Sequence, residues 1–177
     1  QFDYIIVGAG SAGCALASRL SEDKRFTVLL LEAGRSDKNP WIQMPIGYGK
    51  VYNDPKVNWR YTTEPVPSLD NRQSYWPRGK VLGGSSSINA MVWVRGHRRD
   101  YDEWGLMAPG WGWEDVKPVF HRVEDWDGPT TENRGKFGPQ AVHDVTSEVH
   151  PLTHIYLKAA AQAGIRTNMD YNGPSME

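Results

Sequence analysis

Asp3-Tyr4-Ile5-Ile6-Val7-Gly8-Ala9-Gly10-Ser11-Ala12-Gly13 joins a short apolar run to a glycine-punctuated turn, and a helix-forming stretch follows at once. The run Tyr4 to Val7 is rich in β-branched residues, which suits a strand buried on both faces of a parallel sheet. Gly8 permits the tight turn, Gly10 lets backbone amides approach a pyrophosphate with no Cβ in between, and Gly13 allows the helix to pack closely on the strand. A helix over about Ser11 to Leu20 would aim its free N–H groups and the positive end of its dipole at that pyrophosphate. A second strand, Thr27 to Leu31, ends at Glu32, with Ala33 after it. This carboxylate comes roughly twenty residues after the glycines, where the motif sets an acceptor for ribose hydroxyls. Strand, helix and acid in that order within about 30 residues favour a dinucleotide site over an accidental loop. FAD and NAD share the adenosine half, so this stretch leaves the choice between them open.

Composition bounds the rest. The 177 residues, 39% hydrophobic and 23% charged, fall in the ordinary globular range and can bury one sizeable core. A net charge of -1 gives no electrostatic case for a nucleic acid or an anionic membrane as partner. No apolar run approaches the ~20 residues of a membrane span, and no basic segment precedes an apolar one at the start. With one cysteine, the expected location is cytoplasmic. Cys14, one residue past the glycine motif, reads as a small core residue rather than a redox group, since no activating partner is evident. Eight Trp and eight Tyr are expected mainly to serve cores.

After Glu32 the strand–helix alternation stops. From Gly34 to Pro77 the chain is punctuated by Asn39-Pro40, Met44-Pro45, Asn53-Asp54-Pro55, Glu64-Pro65 and Val66-Pro67, which reads as a long excursion with few regular elements. A loop of that length is usually a lid or a binding loop, with a surface connector as the plainer alternative. Trp41, Tyr48, Tyr52, Trp59, Tyr61, Tyr75 and Trp76 are expected to anchor it by burying their rings. The next block, Gly79-Lys80-Val81-Leu82-Gly83-Gly84-Ser85-Ser86-Ser87-Ile88-Asn89, pairs two glycines with three serines ahead of an apolar run. Alone it reads as a bare-backbone turn opening a capped, buried helix. Behind a dinucleotide cradle it reads as a second element for the same cofactor.

These residues resemble the glucose-methanol-choline (GMC) flavoprotein oxidoreductases, in the choline-dehydrogenase-like branch. The resemblance runs from Asp3 to about Gly173 and rests on the block just quoted, on its continuation through Trp93 and Gly96 to Asp102, and on Asn58-Trp59-Arg60-Tyr61 and Asp100-Tyr101-Asp102-Glu103-Trp104. It implies FAD as the cofactor. By position it implies that Ser11 and Ala12 lie against the pyrophosphate and that Glu32 holds the adenosine ribose, with Gly8, Gly10, Gly13 and Ala33 also among the cofactor-binding residues. It also implies that Gly83, Gly84 and Ser85 approach the flavin, and that Asn89, Ala90, Met91 and Val92 run beside the isoalloxazine ring. Some members attach FAD through a histidine where this chain has Ile88; an aliphatic side chain cannot form that bond, so FAD is expected to be non-covalent. The excursion from about Trp41 to Pro77 would cover the cofactor.

Further on, Tyr101 to Gly105 reads as a short helix, and Trp113 to Asp125 as a longer one that tolerates Pro118 near its first turn. Gly128 to Pro139 reads as a loop, and His150-Pro151 as the start of a helix closed by Gly164. His150 and His154 stand four apart, but no third ligand is evident and no metal is expected. His97, His121 and His143 read as surface or capping residues. The family's catalytic histidine belongs to a motif with no counterpart here, so no catalytic residue is assigned within the chain.

The expected architecture is α/β: a Rossmann-like βαβ unit over 1–36, an extended lid or connector over 37–77, a second FAD-binding motif and helix over 78–105, and the start of a substrate domain over 106–177. Two strands do not make a doubly wound sheet, so the chain is expected to be the N-terminal part of a longer protein, with the C-terminal remainder as partner. The expected activity is hydride transfer from a small alcohol to FAD, giving an aldehyde or ketone. The alternatives are an FAD-containing hydroxynitrile lyase and an inactive FAD-binding fragment.

Overall fold

The computed structural model describes residues 1–176. It divides into two compact units, Gln1–Val92 and Trp93–Glu177, so the boundary falls inside the stretch 78–105.

The first unit begins with β1 (Tyr4–Val7), α1 (Ser11–Glu22) and β2 (Val28–Leu31), a right-ordered βαβ unit whose strands are parallel with Tyr4 opposite Val28 and Val7 opposite Leu31. Asp3 sets that register. Its carboxylate accepts from the backbone N–H of Thr27 at 2.7 Å and from its hydroxyl at 2.8 Å, and those bonds hold the carboxyl below the usual range. The helix runs to Glu22, slightly beyond the expected Leu20.

Burial on both faces of β1 is not what the structure shows. Ile6 is buried at 8% exposure, but Ile5 is 61% and Val7 84% exposed. The cause is alternation: Ile6 points to the face on which Gly13 of α1 packs, whereas Ile5 and Val7 point to the opposite face, which the described residues leave open. Cys14 also departs from expectation, being exposed rather than in a core. Helix and strand meet at Gly13; the next residue lies ~100° further round the helix, and the Cys14 thiol donates to the Ala9 carbonyl at 3.3 Å.

The excursion holds more structure than its punctuation suggests: α2 (Pro40–Gln43), a 3-10 turn at Pro45–Gly47, α3 (Tyr48–Val51) and a short antiparallel pair, β3 (Tyr61–Thr62) with β4 (Tyr75–Trp76). The apolar cluster of this unit lies here and not in the βαβ. It comprises Val51, Val57, Val81 and Ile88, with Ile42 against them. The expected aromatic anchors stay largely exposed instead, from 36% at Tyr75 to 52% at Tyr61. They stack on one another and on cations: Trp59 on Tyr61, Lys80 over Trp59, Arg78 over Trp76. A broad ring flanked by long cations is better satisfied at a half-wet surface than in a small aliphatic core.

Asn58 ties the segment together from inside. Its amide donates to the Tyr52 carbonyl at 2.6 Å and its Oδ1 accepts from the backbone of Arg60 and Arg78 at 2.9 and 3.0 Å. The Gly-Gly-Ser block forms a single 3-10 turn, Gly84–Ser87, which ends at Ile88. No helix continues from it. The Ser86 and Ser87 hydroxyls donate back to the carbonyls of Gly83 and Leu82, claiming acceptors in the turn itself.

The second unit contains α4 (Arg98–Met107), α5 (Trp113–Val123), a parallel pair β5 (Glu124–Trp126) and β6 (Gln140–Val142), and α6 (Pro151–Gln162). The helix expected over Trp113 to Asp125 stops at Val123, and Pro118 sits in its interior rather than its first turn. The lost N–H would have bonded the carbonyl four residues back, in the first turn. His97 and His150 act as helix caps, their Nδ1 atoms accepting from Arg99 and Leu152 at 3.1 and 3.2 Å. His143 pairs with Asp127 at the surface.

Candidate functional site

The turn between β1 and α1 is built by close approach. An added Cβ at Gly13 would sit 1.9 Å from the Gly8 carbonyl oxygen, so only glycine lets α1 lie this near the strand. Gly10, in extended conformation, precedes the helix without a side-chain cap, and the first turn holds no acidic residue. This contrasts with α4, where His97 and Asp100 form a capping box. The first amides of α1 are therefore left for an outside acceptor, and an anionic group is what such a terminus favours.

Glu32, just past the end of β2, closes over the turn. Its two carboxylate oxygens accept from the backbone N–H of Ala9 and of Gly34, both at 2.8 Å. Each oxygen keeps a lone pair for a hydroxyl donor. Ala9 itself is fully buried, and its carbonyl accepts from Gly83 N at 2.8 Å. Through this bond and the bridge between Gly10 and Gly83, the second glycine pair is drawn onto the first. Gly84 adopts φ +59°, and a Cβ there would come within 2.8 Å of Gly10 Cα. Ser85 follows, its hydroxyl accepting from Gly79 N at 3.1 Å.

A hollow of about 550 Å³ results, lined by Gly8, Gly10, Ser11, Ala12, Gly13 and Ser85 together with Ile6, Val7 and Leu16. Glu32, Gly83 and Gly84 are not among the lining residues; Glu32 and Gly83 are bonded to the turn at Ala9, and Gly84 lies against Gly10. Ala33 is exposed beside Glu32. Asn89, Ala90, Met91 and Val92 do not line it. They form an exposed, irregular segment in which Asn89 Oδ1 accepts from Met91 N at 2.8 Å and Met91 adopts φ +59°. No histidine is among the lining residues.

Bare amides at an uncapped helix end, glycines beside them and a carboxylate bonded to the same turn fit the pyrophosphate and ribose of a dinucleotide. Among the described residues no group of three or more His, Cys, Asp or Glu is placed to hold a metal ion, and no helix is long and apolar enough to cross a membrane.

The residues missed from sequence lie in the second unit. Glu124 is fully buried. It accepts from Trp93 Nε1 at 3.0 Å, from Arg95 at 2.7 Å and from Gly135 N at 2.7 Å, with Arg134 at 3.2 Å. Arg134 lies over Trp126. Asn172 braces the cluster, accepting from Arg95 N at 2.9 Å and donating to the Trp93 carbonyl at 2.8 Å. These residues are spread from 93 to 172, and no local pattern links them.

Comparison with known proteins follows the same lines. The family model described as GMC oxidoreductase matches residues 2–177. The oxygen-dependent choline dehydrogenases of Rhizobium rhizogenes and Sinorhizobium fredii are 48% and 49% identical over 178 residues. These alignments take in 100% of this chain and 32% of each relative, so the chain spans about a third of their length. Among solved structures, pyridoxine 4-oxidase from Mesorbium loti superposes with a TM-score of 0.82 at 38% identity, covering 92% of this chain and 32% of that one. A formate oxidase gives 0.83 at 32% identity, covering 97% and 32%. None of these four is a lyase by name, so the hydroxynitrile lyase alternative gains no support.

Proposed function

The chain belongs to the GMC oxidoreductase family, whose N-terminal domain binds FAD, and from that premise we propose that it is the cofactor-holding part of an enzyme that oxidises a small alcohol to an aldehyde or ketone. The observation that carries this reading is the uncapped start of α1 facing a hollow shared with Ser85, with Glu32 bonded to the same turn. When bound, FAD supplies the acceptor for the hydride.

The residues of this chain bind and orient. The amides of Ser11, Ala12 and Gly13 would take the pyrophosphate, and Glu32 the ribose hydroxyls. Gly83, Gly84 and Ser85 would bring bare backbone and one hydroxyl toward the flavin side, and the segment from Asn89 to Val92 would run beside the ring. The base that removes the alcohol proton is proposed to lie in the part of the protein beyond this chain. Choline is the first alcohol to test, given the names of the relatives nearly half identical to it. A hydroxymethyl group on a heteroaromatic ring is second, given the pyridoxine oxidase.

FAD is proposed to be held without a covalent bond. Ile88 has no nucleophilic atom and packs in the core with Val51, Val57 and Val81. Acid precipitation of the full-length protein should leave all flavin in the supernatant. The activity itself is tested by adding choline or pyridoxine to that protein without oxygen. Loss of the yellow flavin absorbance with formation of the aldehyde supports the proposal; no bleaching with any primary or secondary alcohol defeats it.

A further inference from the structure

The second unit buries more positive charge than it neutralises. The Arg95 and Arg134 side chains are each 3% exposed, and among the described residues the only carboxylate equally buried beside them is Glu124. Asp170 approaches Arg134 at 3.7 Å but is one-third exposed. Nε of Arg95 is buried without a hydrogen-bond partner among the described residues, and NH1 and Nε of Arg134 meet Glu124 and Asp170 only as ion pairs, at 3.2 and 3.7 Å. Two guanidiniums sharing one inner carboxylate leave a local excess of positive charge, and an uncompensated buried charge is strongly unfavourable.

Arg95 also lines a cavity of about 390 Å³. Arg98, Arg99 and Lys117 line it as well, against a single carboxylate among the described residues, Glu114, which is already paired with Arg98 at 3.3 Å. Among the described residues Arg99 and Lys117 form no ion pair. The first residues of α4 and α5 both contribute to the wall, although Asp100 and Asp115 already cap those two helix starts. Trp113 and Tyr171 supply flat apolar surface beside these cations.

We propose that this cavity is a binding site for a small polyvalent oxyanion, of the phosphate or polycarboxylate class. Guanidinium forks match the paired oxygens of either group. The anion would complete the charge balance of the Arg95–Glu124–Arg134 cluster from its open side, and the site is independent of the nucleotide hollow and of the reaction proposed above.

The test uses full-length, FAD-saturated protein, so that a pyrophosphate probe cannot enter the flavin site. Pyrophosphate and citrate are titrated separately by calorimetry at constant ionic strength, against the parent and against a variant carrying Arg99→Ala with Lys117→Ala. These two side chains take part in no buried cluster, so flavin content should be unchanged. Saturable binding of one anion per chain, weakened about tenfold or more in the variant, is the expected result. Binding of pyrophosphate alone would assign the phosphate class, and of citrate alone the polycarboxylate class. The absence of saturable binding by either, as when an acidic side chain from elsewhere in the polypeptide fills the space, overturns the proposal. So does binding of equal strength in parent and variant.

Discussion

Replacing Gly13 by alanine separates the packing role of the glycine turn from its binding role. The new methyl would stand 1.9 Å from the Gly8 carbonyl oxygen and 3.1 Å from the Gly8 carbonyl carbon. A carbon and a carbonyl oxygen settle at roughly 3.3 Å, so helix and strand must part by about 1.4 Å or the turn must distort. Overpacking of this kind costs about 1–3 kcal/mol. Carried wholly by the cofactor complex, that is about a 5- to 150-fold loss of FAD affinity. Gly10→Ala is the matched control, because a Cβ there meets only Gly84 Cα, at 4.0 Å. It should leave the stability of FAD-free protein unchanged while crowding the pyrophosphate. The assay is flavin absorbance per polypeptide after desalting, with thermal melting of both FAD-free variants. If Gly13→Ala keeps full flavin and an unchanged melting temperature, the close helix–strand approach is not what shapes the site. If Gly10→Ala melts lower without FAD, its effect is structural and the assignment of that position to the cofactor fails.

Glu32→Gln should reduce flavin retention by about tenfold or more, since the amide offers one acceptor where two backbone N–H groups each meet a charged oxygen; a variant that keeps its flavin through dilution series identical to the parent's would contradict this. Glu124→Ala should destabilise the protein by about 3–5 kcal/mol, because it strands Arg95 and Arg134 in the interior, and denaturant melts giving a change below about 1 kcal/mol would show the cluster to be dispensable. The hydrogen bond that the His143 ring donates to Asp127, then the charge of that carboxylate, raises the pKa of His143 above the ordinary 6.5. The stabilisation this pair gives is therefore complete below about pH 6.5 and lost as pH rises through the higher folded value. Proton NMR of the imidazole should show this titration, and Asp127→Asn should return it to the ordinary value; an unchanged midpoint would remove the ion pair from the account.

The nucleotide turn was legible because every part of it is local. Gly8, Gly10, Gly13 and Glu32 lie within one βαβ unit, and each glycine answers a short-range steric demand. The meeting of that turn with Gly83 and Gly84 was legible only through the family resemblance, since the bond from Gly83 N to Ala9 O crosses more than seventy positions. Burial was read poorly. Aromatic rings in the excursion looked like anchors, yet Val51, Val57, Val81 and Ile88 take that place, because small aliphatics fill a tight interior and rings with cations over their faces do not need to. The apolar periodicity of β1 promised two covered faces, and only Ile6 is covered. The Glu124 cluster left no trace in the sequence, for charged residues read as surface until their partners are known. Pro118 likewise shows that helix context can override a local breaker when only a first-turn carbonyl is left bare.

The position of the aliphatic cluster has a kinetic consequence. Val51 and Val57 belong to the long excursion, and they interlock with Val81 and Ile88 on either side of the Gly-Gly-Ser bend. A flap hinged at its two ends could swing aside and exchange a nucleotide in microseconds to milliseconds, but this stretch cannot leave without dissolving the only apolar nucleus its unit has. If this stretch covers a bound nucleotide, turnover of that nucleotide would be gated by partial unfolding, and loading would coincide with the collapse of the chain during its first folding.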